Sequence, residues 1–531
     1  MVSNMNEQSF FTKLKSHSFI LVIILVLIMA ILPHAYNMFH YPYYEADEGT
    51  YMSQAWATLT QGRLAPYTYW YDHAPIGWIT IGMWSTLTAG FNTFGFSINS
   101  GRVFMLVMHV MSSLLILGIT KKIFNSYWPG VIAVALFSFS PLGIYFQRRV
   151  LLDNIMVFWL LVSLYLILGE RRKLWHYVAS ALAISVAFLS KESAVYFIPG
   201  MMLLVFLNSR KYHNKFPMIL WTLLTVLIVS YYPLYALLKG EFFQTGQLFG
   251  GTAPHVSLLE TAKYQASRPG GFFLNPGSDF MGRINGWTNT GIIYSDAPLI
   301  YGGIIATAFI VLLSIFQPRL RPISVFALCY WYFLARGGIV IEFYVIPLIP
   351  LLALCVGCSI YIIATWISKR LTVSSFRPVL ALSIGALAFI PFVNGYVSRT
   401  KVYTQDNTTD QVKAVDWIIQ NVPKQSVVLI DMYAYIEMKR NINLSHYYWK
   451  ADRDPEITDG VLKDNWCTVD YLLVTPQLLY DARQAGLTIT KTAYDHSDVL
   501  MTYPSEGWRI EVRKVNKTGC QTQTASLPNT P

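Results

Sequence analysis

Long apolar runs separated by short polar segments fill the chain as far as residue 397. A helix that crosses the hydrocarbon core of a bilayer needs about 20 predominantly apolar residues, and by this measure the pattern predicts roughly eleven spans. The predicted spans are Phe19–Tyr36, Val103–Ile119, Pro129–Tyr145, Ile155–Leu168, Val178–Leu189, Tyr196–Leu207, Met218–Leu238, Leu299–Phe316, Ile323–Leu334, Phe343–Ile367 and Val379–Val397. Phe19–Tyr36 lacks a small-residue cleavage site, so we interpret it as a retained signal anchor.

Basic residues lie in short clusters between these runs rather than in one patch. Only 13% of residues are charged, 54% are hydrophobic, and the formal net charge is +11. The clusters fall in alternate loops: Lys121-Lys122, Arg171-Arg172-Lys173, Arg210-Lys211, Arg319 with Arg321, and Lys369-Arg370. Short cytoplasmic loops are enriched in Lys and Arg, so the N-terminus is predicted to be cytoplasmic. The positive charge therefore sets orientation, and we expect no nucleic-acid partner.

This orientation predicts a transmembrane domain over residues 1–397 with two large outward loops, 37–75 and 239–298. Ile76–Phe94 is apolar enough for a span, but counting it would place Lys121-Lys122 outside the cell. We therefore predict an interfacial or half-inserted helix there, and a surface helix over Gly49–Gln61. Loop 239–298 contains Gly-Gly, Pro-Gly and many aromatic residues, which favours a mobile flap over a site.

The tail, residues 398–531, has a different, more polar composition. Asp410–Gln420 has the pattern of an amphipathic helix, and Ser426–Ile430 and Tyr471–Val474 have the pattern of buried strands. An odd number of spans places this predicted α/β domain on the extracytoplasmic side. The tail also holds Cys467 and Cys520, which can pair if it faces an oxidising compartment, and the sequence leaves that pairing open.

Few charged residues remain at the predicted outer ends of the spans. A charge at the centre of a spanning helix costs about 2.5–3.5 kcal/mol on insertion scales, so those that persist near the membrane need a reason. They are Asp47-Glu48, Asp72-His73, Arg148-Arg149, Asp153, Lys191-Glu192, Arg336 and Glu342. Each one alone is also compatible with a simple helix end. Together, at one membrane face, they suit a reaction on an anionic lipid headgroup, with Asp47 as a general base.

Several passages resemble one known superfamily. Ala46-Asp47-Glu48-Gly49-Thr50-Tyr51 and Trp70-Tyr71-Asp72-His73-Ala74-Pro75-Ile76-Gly77-Trp78 look like the first outer loop of the protein O-mannosyltransferase and aminoarabinose transferase superfamily. Further passages follow in the family's order: Ser100-Gly101-Arg102-Val103, Arg149-Val150-Leu151-Leu152-Asp153-Asn154, Phe188-Leu189-Ser190-Lys191-Glu192 and Phe343-Tyr344-Val345-Ile346-Pro347-Leu348-Ile349-Pro350. The resemblance implies the GT-C glycosyltransferase fold: an all-α polytopic membrane protein, here with a C-terminal extracytoplasmic α/β domain.

The resemblance also implies roles for individual residues. Asp47 would be the catalytic base with Glu48 beside it, and Lys191 would meet the lipid phosphate. Arg149 and Asp153 would shape the donor site, and Tyr344 would line its cavity.

The chain departs from the family pattern at two positions. His73 and its neighbour Asp72 stand where the family often has Glu-Lys, so Arg148 or Arg336 would carry more of the phosphate charge. Thr50 stands where the aminoarabinose transferases tend to have Arg, which argues against that narrower identity.

The resulting hypothesis is a membrane glycosyltransferase that moves a sugar from a polyprenyl-phosphate donor to a lipid, glycan or protein acceptor outside the cytoplasm. We expect no required cofactor, although Asp72, His73 and Glu342 leave a divalent metal open. Two other classes fit the spans and the interfacial charges. One is a non-enzymatic transporter or flippase of lipid-linked intermediates, and the other is an envelope scaffold. Neither explains why the charged motifs follow a glycosyltransferase order.

Overall fold

A computed structural model describes residues 2–169, 172–211, 215–243, 256–371, 376–504 and 508–522. The chain is mostly helical up to residue 421 and mixed beyond it. The helices of the first part are α1 Val2–Ala35, α2 Ala46–Thr60, α3 Ile76–Leu87, α4 Ser97–Phe124, α5 Trp128–Phe139, α6 Pro141–Gln147, α7 Leu152–Ile167, α8 Leu174–Ser190, α9 Ile198–Lys211, α10 Phe216–Val229, α11 Tyr231–Leu238, α12 Leu258–Ser267, α13 Asp279–Thr288, α14 Ala297–Phe316, α15 Arg321–Ala335, α16 Val345–Leu371 and α17 Arg377–Val397.

A helix lies over each of the eleven apolar runs, but they do not all have the length of a span. Six described segments are long and apolar enough to cross a membrane. The helices α5 and α6, bent by 65° at their junction, form either a seventh, broken span or a re-entrant loop. The apolar parts of α1, α7 and α8 are shorter. The protein thus has several membrane-spanning helices, and the count of eleven remains a prediction.

The helix α16 forms the centre of the transmembrane bundle. It packs against α5, α14, α15 and α17, and nearly all of Val345–Ile360 is buried. By contrast, α17 exposes large apolar side chains such as Leu382, Leu387 and Ile390. Apolar side chains that no protein covers are stable only against lipid, so α17 lies at the periphery of the bundle.

Helices are present at both predicted positions as α2 and α3, which pack against each other. Most residues of α2 are buried, so it does not lie free at the surface as predicted, and the interfacial placement of α3 stays a prediction. Loop 239–298 contains α12 and α13, and its segment 244–255 lies outside the described residues, so the predicted flap is described only in part. The backbone carbonyl of Val340 and that of Glu342 accept hydrogen bonds from Arg283 and Trp287 of α13. The described second half of this loop is therefore tied to the segment between α15 and α16.

The C-terminal part is a small α/β domain around a five-stranded sheet. Its helices are α18 Lys401–Thr404, α19 Thr409–Asn421, α20 Tyr435–Asn441, α21 Tyr448–Arg453, α22 Pro455–Ile457, α23 Pro476–Gln484 and α24 Thr488–Asp495. Its strands are β1 Val427–Ile430, β2 Leu444–Tyr447, β3 Tyr471–Val474, β4 Ser497–Tyr503 and β5 Ile510–Val515. The predicted helix and both predicted strands appear as α19, β1 and β3, whereas the sequence analysis missed β2, β4 and β5.

The sheet order is β2-β1-β3-β5-β4, with β1, β2 and β3 parallel and β5 antiparallel to both β3 and β4. The three parallel strands are buried after their first residue. This burial explains the continuous apolar sequences of β1 and β3, whereas β2 contains Ser445 and His446. The outer strand β4 is mostly exposed. A disulfide joins Cys467 to Cys520, with the Cα atoms 5.8 Å apart. The open question about this pair is thereby answered in favour of pairing.

The C-terminal domain is seated directly on the first outer loop. The 3₁₀ turn Met432–Ala434 packs on α2, and a Cβ atom on Gly49 of α2 would overlap the backbone of Met432 and Tyr433. The carboxylate of Glu437 accepts hydrogen bonds from the Ser97 backbone N–H (2.6 Å) and hydroxyl (3.0 Å). Because Ser97 begins α4, this domain supplies the N-terminal cap of a transmembrane helix.

Candidate active site

Asp47 lies in the first turn of α2, and a capping box fixes the start of this helix. The Glu45 side chain accepts from the Asp47 backbone N–H at 3.1 Å, and the Glu48 carboxylate accepts from the Glu45 backbone N–H at 3.1 Å. Reciprocal bonds of this kind satisfy N–H groups that the helix leaves without partners. The backbone of Asp47 is thus held while its own carboxylate stays free of the cap.

Glu48 points away from Asp47 and into the protein. Arg102 of α4 donates from Nε to Glu48 Oε1 (3.0 Å) and from Nη2 to Oε2 (2.9 Å), and both side chains are fully buried. Glu48 also accepts from the Val150 backbone N–H at 3.1 Å. Both oxygens of Glu48 are thus occupied by donors from the protein, and its carboxylate is directed away from the site.

A second buried cluster joins α7, α8 and the first outer loop. Lys191, at the end of α8, lies 3.4 Å from the carboxylate of Asp153 and 3.3 Å from Nε2 of His73. His73 Nδ1 is 2.9 Å from the Glu192 carboxylate, which also accepts the backbone N–H of Ala74. One oxygen of Asp153 has no partner among the described residues although it is buried. The cluster therefore keeps hydrogen-bonding capacity for a ligand.

Asp47 faces this cluster. Burial raises the pKa of the half-buried Asp47 carboxyl above its usual value, the positive charges of Lys191 and His73 act against this, and Asp153 adds to it. These charges act on Asp47 only because the side chains lie near one another. The structure thus brings Asp47, His73, Asp153 and Lys191, which come from three separate parts of the sequence, to one site.

Arg149 lies in an aromatic setting. Its guanidinium donates to the Tyr145 hydroxyl (2.9 Å) and lies 4.6 Å from the ring centre of Tyr43. The Tyr145 ring stacks on Tyr294 (3.7 Å), whose hydroxyl donates to Glu342. Nε of Arg149 is buried without a partner in the described part of the chain. Arg149 is thus a buried cation with a free donor. Tyr145 and Tyr294 lie between it and Glu342.

The other sequence-predicted residues have different surroundings. Arg148 donates to three backbone carbonyl groups at the end of α1 and after it, those of Pro33, Tyr36 and Tyr41. It therefore fastens α1 to the first outer loop.

The remaining sequence-predicted residues are Arg336, Asp72 and Tyr344. Arg336 donates to the backbone carbonyls of Phe333 and Ile339, and Asp72 is exposed. Tyr344 is close enough to Lys191 for the two to influence each other's charge.

Sequence reasoning did not assign Arg102 to the site, although an Arg within a predicted span is itself a signal of a buried partner. It also missed Tyr43, Trp508 and Asp481. Trp508 stacks on Tyr43 at 4.0 Å, and the negative charge of Asp481 acts on Asp47. These two residues lie far from Asp47 in sequence, so no local motif reveals them. In the described ranges, no three His, Cys, Asp or Glu side chains converge as a metal site would require.

Comparison with known proteins agrees with this architecture. Residues 79–235 match the family model for dolichyl-phosphate-mannose-protein mannosyltransferase. ArnT from Cupriavidus metallidurans bound to undecaprenyl phosphate has a TM-score of 0.58 at 14% identity, over 94% of this chain and 98% of that one. The apo oligosaccharyltransferase of Archaeoglobus fulgidus has a TM-score of 0.56 at 12% identity, over 89% of this chain and 72% of that one.

The A. fulgidus enzyme AglB in complex with an inhibitory peptide and a dolichol-phosphate is also similar, with a TM-score of 0.53 at 12% identity over 97% of this chain and 75% of that one. No curated protein sequence gives a significant match. The matched family segment contains Arg102, Arg149, Asp153 and Lys191, and the solved structures share the fold around them. The resemblance seen in the sequence is thereby confirmed: residues 79–235 match the model of that family, and the chain as a whole shares the GT-C fold of these solved structures.

Proposed function

We propose that the protein is a membrane glycosyltransferase that moves a sugar from a polyprenyl-phosphate donor to an acceptor hydroxyl on the extracytoplasmic side. The observation that carries this proposal is the placement of the Asp47 carboxylate, which forms no ion pair among the described residues, within reach of the charges of the buried Lys191–Asp153 pair. A glycosyl transfer needs a base to deprotonate the acceptor hydroxyl and a cation to stabilise the leaving phosphate, and one site offers both. Polyprenyl phosphates bound to ArnT and AglB add support.

Asp47 acts as the general base in this mechanism. Its carboxylate takes the proton of the acceptor hydroxyl as that oxygen attacks the anomeric carbon of the donor sugar. The bond between that carbon and the phosphate oxygen breaks, and the polyprenyl phosphate leaves with the electron pair. One displacement of this kind inverts the anomeric centre. Glu48 does not take part in proton transfer, since Arg102 holds it, and instead positions the start of α2.

Lys191 meets the phosphate of the departing lipid. Negative charge grows on this group as the bond breaks, and a fixed cation in a buried site stabilises that charge without reorganising. Asp153 holds Lys191 in place, and His73 orients it from the first outer loop. Arg149, with its free Nε donor, offers a second charge-assisted contact to the donor.

The extracytoplasmic location is part of the proposal and rests on two independent features. Basic clusters in alternate loops orient the N-terminus to the cytoplasm, which places the first outer loop on the opposite side. The Cys467–Cys520 bond favours an oxidising compartment for the C-terminal domain, because cytosolic thiols are normally kept reduced.

The test is release of polyprenyl phosphate by the full-length protein in lipid nanodiscs. The nanodiscs are supplied with a panel of undecaprenyl-phosphate and dolichyl-phosphate sugars and, as acceptors, with membrane lipids, methyl glycosides and Ser/Thr peptides. Release reports on donor turnover whether the acceptor is a lipid, a glycan or a protein. We expect Asp47→Asn to lower turnover about 10²–10⁴-fold, the usual contribution of a positioned base, and to leave binding of bare polyprenyl phosphate unchanged. Asp498→Asn, an exposed carboxylate on β4, is the matched control. Turnover by Asp47→Asn at the control's rate would favour a transporter or scaffold.

A further inference from the structure

A cavity of about 600 Å³ with an apolar lining lies between α5 and α17, with α16 behind it. Both α5 and α17 pack on α16. The facing sides of the three helices form the walls, which include Trp128 and Ile132 of α5, Tyr361 and Ala364 of α16, and Leu382 and Ala386 of α17. We call this space the α5–α17 cavity.

The cavity exists because α5 and α17 touch at one end and separate toward the other. Near the C-terminal end of α17, the Tyr396 hydroxyl donates to the backbone carbonyl of Leu136 on α5 (3.4 Å). At the same end, α17 lies close to α14, since a Cβ atom on Gly302 would be 3.2 Å from the Phe392 ring. Toward the N-terminal end of α17, Leu382 lines the cavity and is exposed. The two helices therefore enclose a wedge that opens toward the N-terminus of α17.

The lining of the cavity suits a hydrocarbon chain and not water. A buried water needs two to four polar partners. The Thr365 hydroxyl of the lining already donates to the backbone carbonyl of Tyr361 within α16 (2.7 Å). An apolar space that no atoms fill loses dispersion contacts along its walls. Because the walls are transmembrane helices, the chains of the surrounding lipids are the material that fills it.

The cavity lies at the end of the bundle opposite the candidate active site. Helix α4 has 28 residues, which gives it a length of about 42 Å. Its first residue, Ser97, is capped by Glu437 of the C-terminal domain. Its last residue, Phe124, packs edge to face on Tyr361 of the cavity wall, with the ring centres 5.5 Å apart. A lipid in this cavity therefore belongs to the other leaflet from the lipid phosphate proposed to meet Lys191.

Basic side chains surround this end of the cavity. The guanidinium of Arg319 lies 5.5 Å from the ring centre of Phe124, and Lys121 lies one turn earlier on α4. The guanidinium of Arg370 lies 4.4 Å from the ring centre of Trp366, which follows the cavity wall on α16. No Asp or Glu occurs in the segments that carry these cations, which are 119–131, 314–323 and 366–380. This concentration of positive charge favours an anionic headgroup.

We propose that the α5–α17 cavity binds an anionic phospholipid of the leaflet on the basic side. One acyl chain lies between α5 and α17, and the headgroup phosphate lies among Lys121, Arg319 and Arg370. Basic pockets between transmembrane helices bind anionic headgroups through charge, whereas a zwitterionic lipid carries a cation of its own. The bound chain joins α17 to α5 where their own side chains do not meet. The proposal is independent of glycosyl transfer, because it concerns another ligand at the opposite end of the bundle.

Native mass spectrometry of the full-length protein in detergent measures this binding. The probes are dioleoyl phosphatidylglycerol, which is anionic, and dioleoyl phosphatidylcholine, which has the same chains and no net charge. Ala386→Phe fills the cavity, and Ala388→Phe, at an exposed position of α17 outside the lining, is its matched control. Arg319→Gln and Arg370→Gln each remove a headgroup contact, and Lys263→Gln on α12 is their control. Thermal unfolding of each variant without added lipid identifies loss of folding.

We expect phosphatidylglycerol to bind more tightly than phosphatidylcholine. Each Arg→Gln change should weaken its binding roughly fivefold, the contribution of one basic residue near an anionic headgroup. Ala386→Phe should abolish the binding, and both controls should bind as the wild type does. Equal binding of the two lipids, or unchanged binding in Ala386→Phe, would refute the proposal.

Two other occupants of the cavity would also overturn the proposal. One is a second copy of this chain, seen as a lipid-free dimer that Ala386→Phe dissociates. The other is the donor lipid, seen as displacement of phosphatidylglycerol by an equimolar amount of undecaprenyl phosphate.

Discussion

The carboxylate of Glu48 and the guanidinium of Arg102 form a two-bond ion pair, at 3.0 and 2.9 Å, from which water is fully excluded. The pair joins the first outer loop to α4 one residue after Asp47. Glu48 is thus a positioning residue, although the Asp-Glu sequence places it beside the proposed base. Its neighbour Asp47, half-buried and with its carboxylate outside the cap, is the proposed base.

Glu48→Gln should destabilise the protein, because it leaves the buried Arg102 without its counter-ion. Loss of one partner of a buried pair costs about 3–5 kcal/mol. We expect a lower midpoint of thermal unfolding in nanodiscs, with Asp47→Asn unfolding at the wild-type temperature. A Glu48→Gln protein of wild-type stability that has lost turnover would instead make Glu48 part of the chemistry.

Turnover should fall in acid at a higher pH than an ordinary aspartate would give. Only the ionised Asp47 can accept a proton, so kcat/KM decreases as the pH falls through its pKa. Burial raises this pKa above 3.8, and the acid limb lies correspondingly above that value. Lys191→Met removes a charge that lowers the pKa, so the limb should move to still higher pH. An acid limb that does not move in Lys191→Met would show that the charge of Lys191 does not act on the group that titrates.

Lys191→Ala should raise the KM for the polyprenyl-phosphate donor. A hydrogen bond to a charged group contributes about 1.5–3 kcal/mol, which corresponds to roughly a 10–100-fold change. Lys263→Ala removes an exposed lysine paired with Glu260 and should leave the KM unchanged. The measurement is donor titration in the release assay, and an unchanged KM in Lys191→Ala would remove this residue from the phosphate site.

Gly49→Ala should separate the C-terminal domain from α2. The new methyl group would overlap backbone atoms of Met432 and Tyr433, which cannot turn aside as a side chain can. We expect faster amide hydrogen exchange over Met432–Ala434 and reduced turnover, with polyprenyl phosphate still bound. Gly460→Ala is the control, since its Cβ atom would meet nothing within 4 Å. Unchanged exchange in Gly49→Ala would show that the C-terminal domain accommodates the methyl group without separating from α2.

Cys467→Ser should weaken the C-terminal domain and spare the transmembrane helices. The disulfide closes a loop across 53 positions, for which the chain-entropy model gives about 4 kcal/mol. Protease resistance of the tail should fall in Cys467→Ser and stay intact in Cys329→Ser, which changes a free cysteine within α15. Equal resistance in both variants would show that the bond adds no stability.

The sequence by itself determined the membrane character and the presence of a C-terminal α/β domain. Both follow from local properties: an apolar run of sufficient length has to leave water, and the segment 427–430 shows its buried strand character in four consecutive residues. The family resemblance likewise came from short motifs, such as the one around Asp47.

The tertiary structure decided which charged residues act together. His73, Asp153 and Lys191 meet because α7, α8 and the first outer loop pack together. Arg148, by contrast, donates its hydrogen bonds to backbone carbonyls at the end of α1. Asp481, whose charge acts on Asp47, and Trp508, which stacks on Tyr43, come from a domain more than 400 residues further along the chain. Such long-range pairings carry no periodicity and no fixed spacing, so only the packed chain shows them.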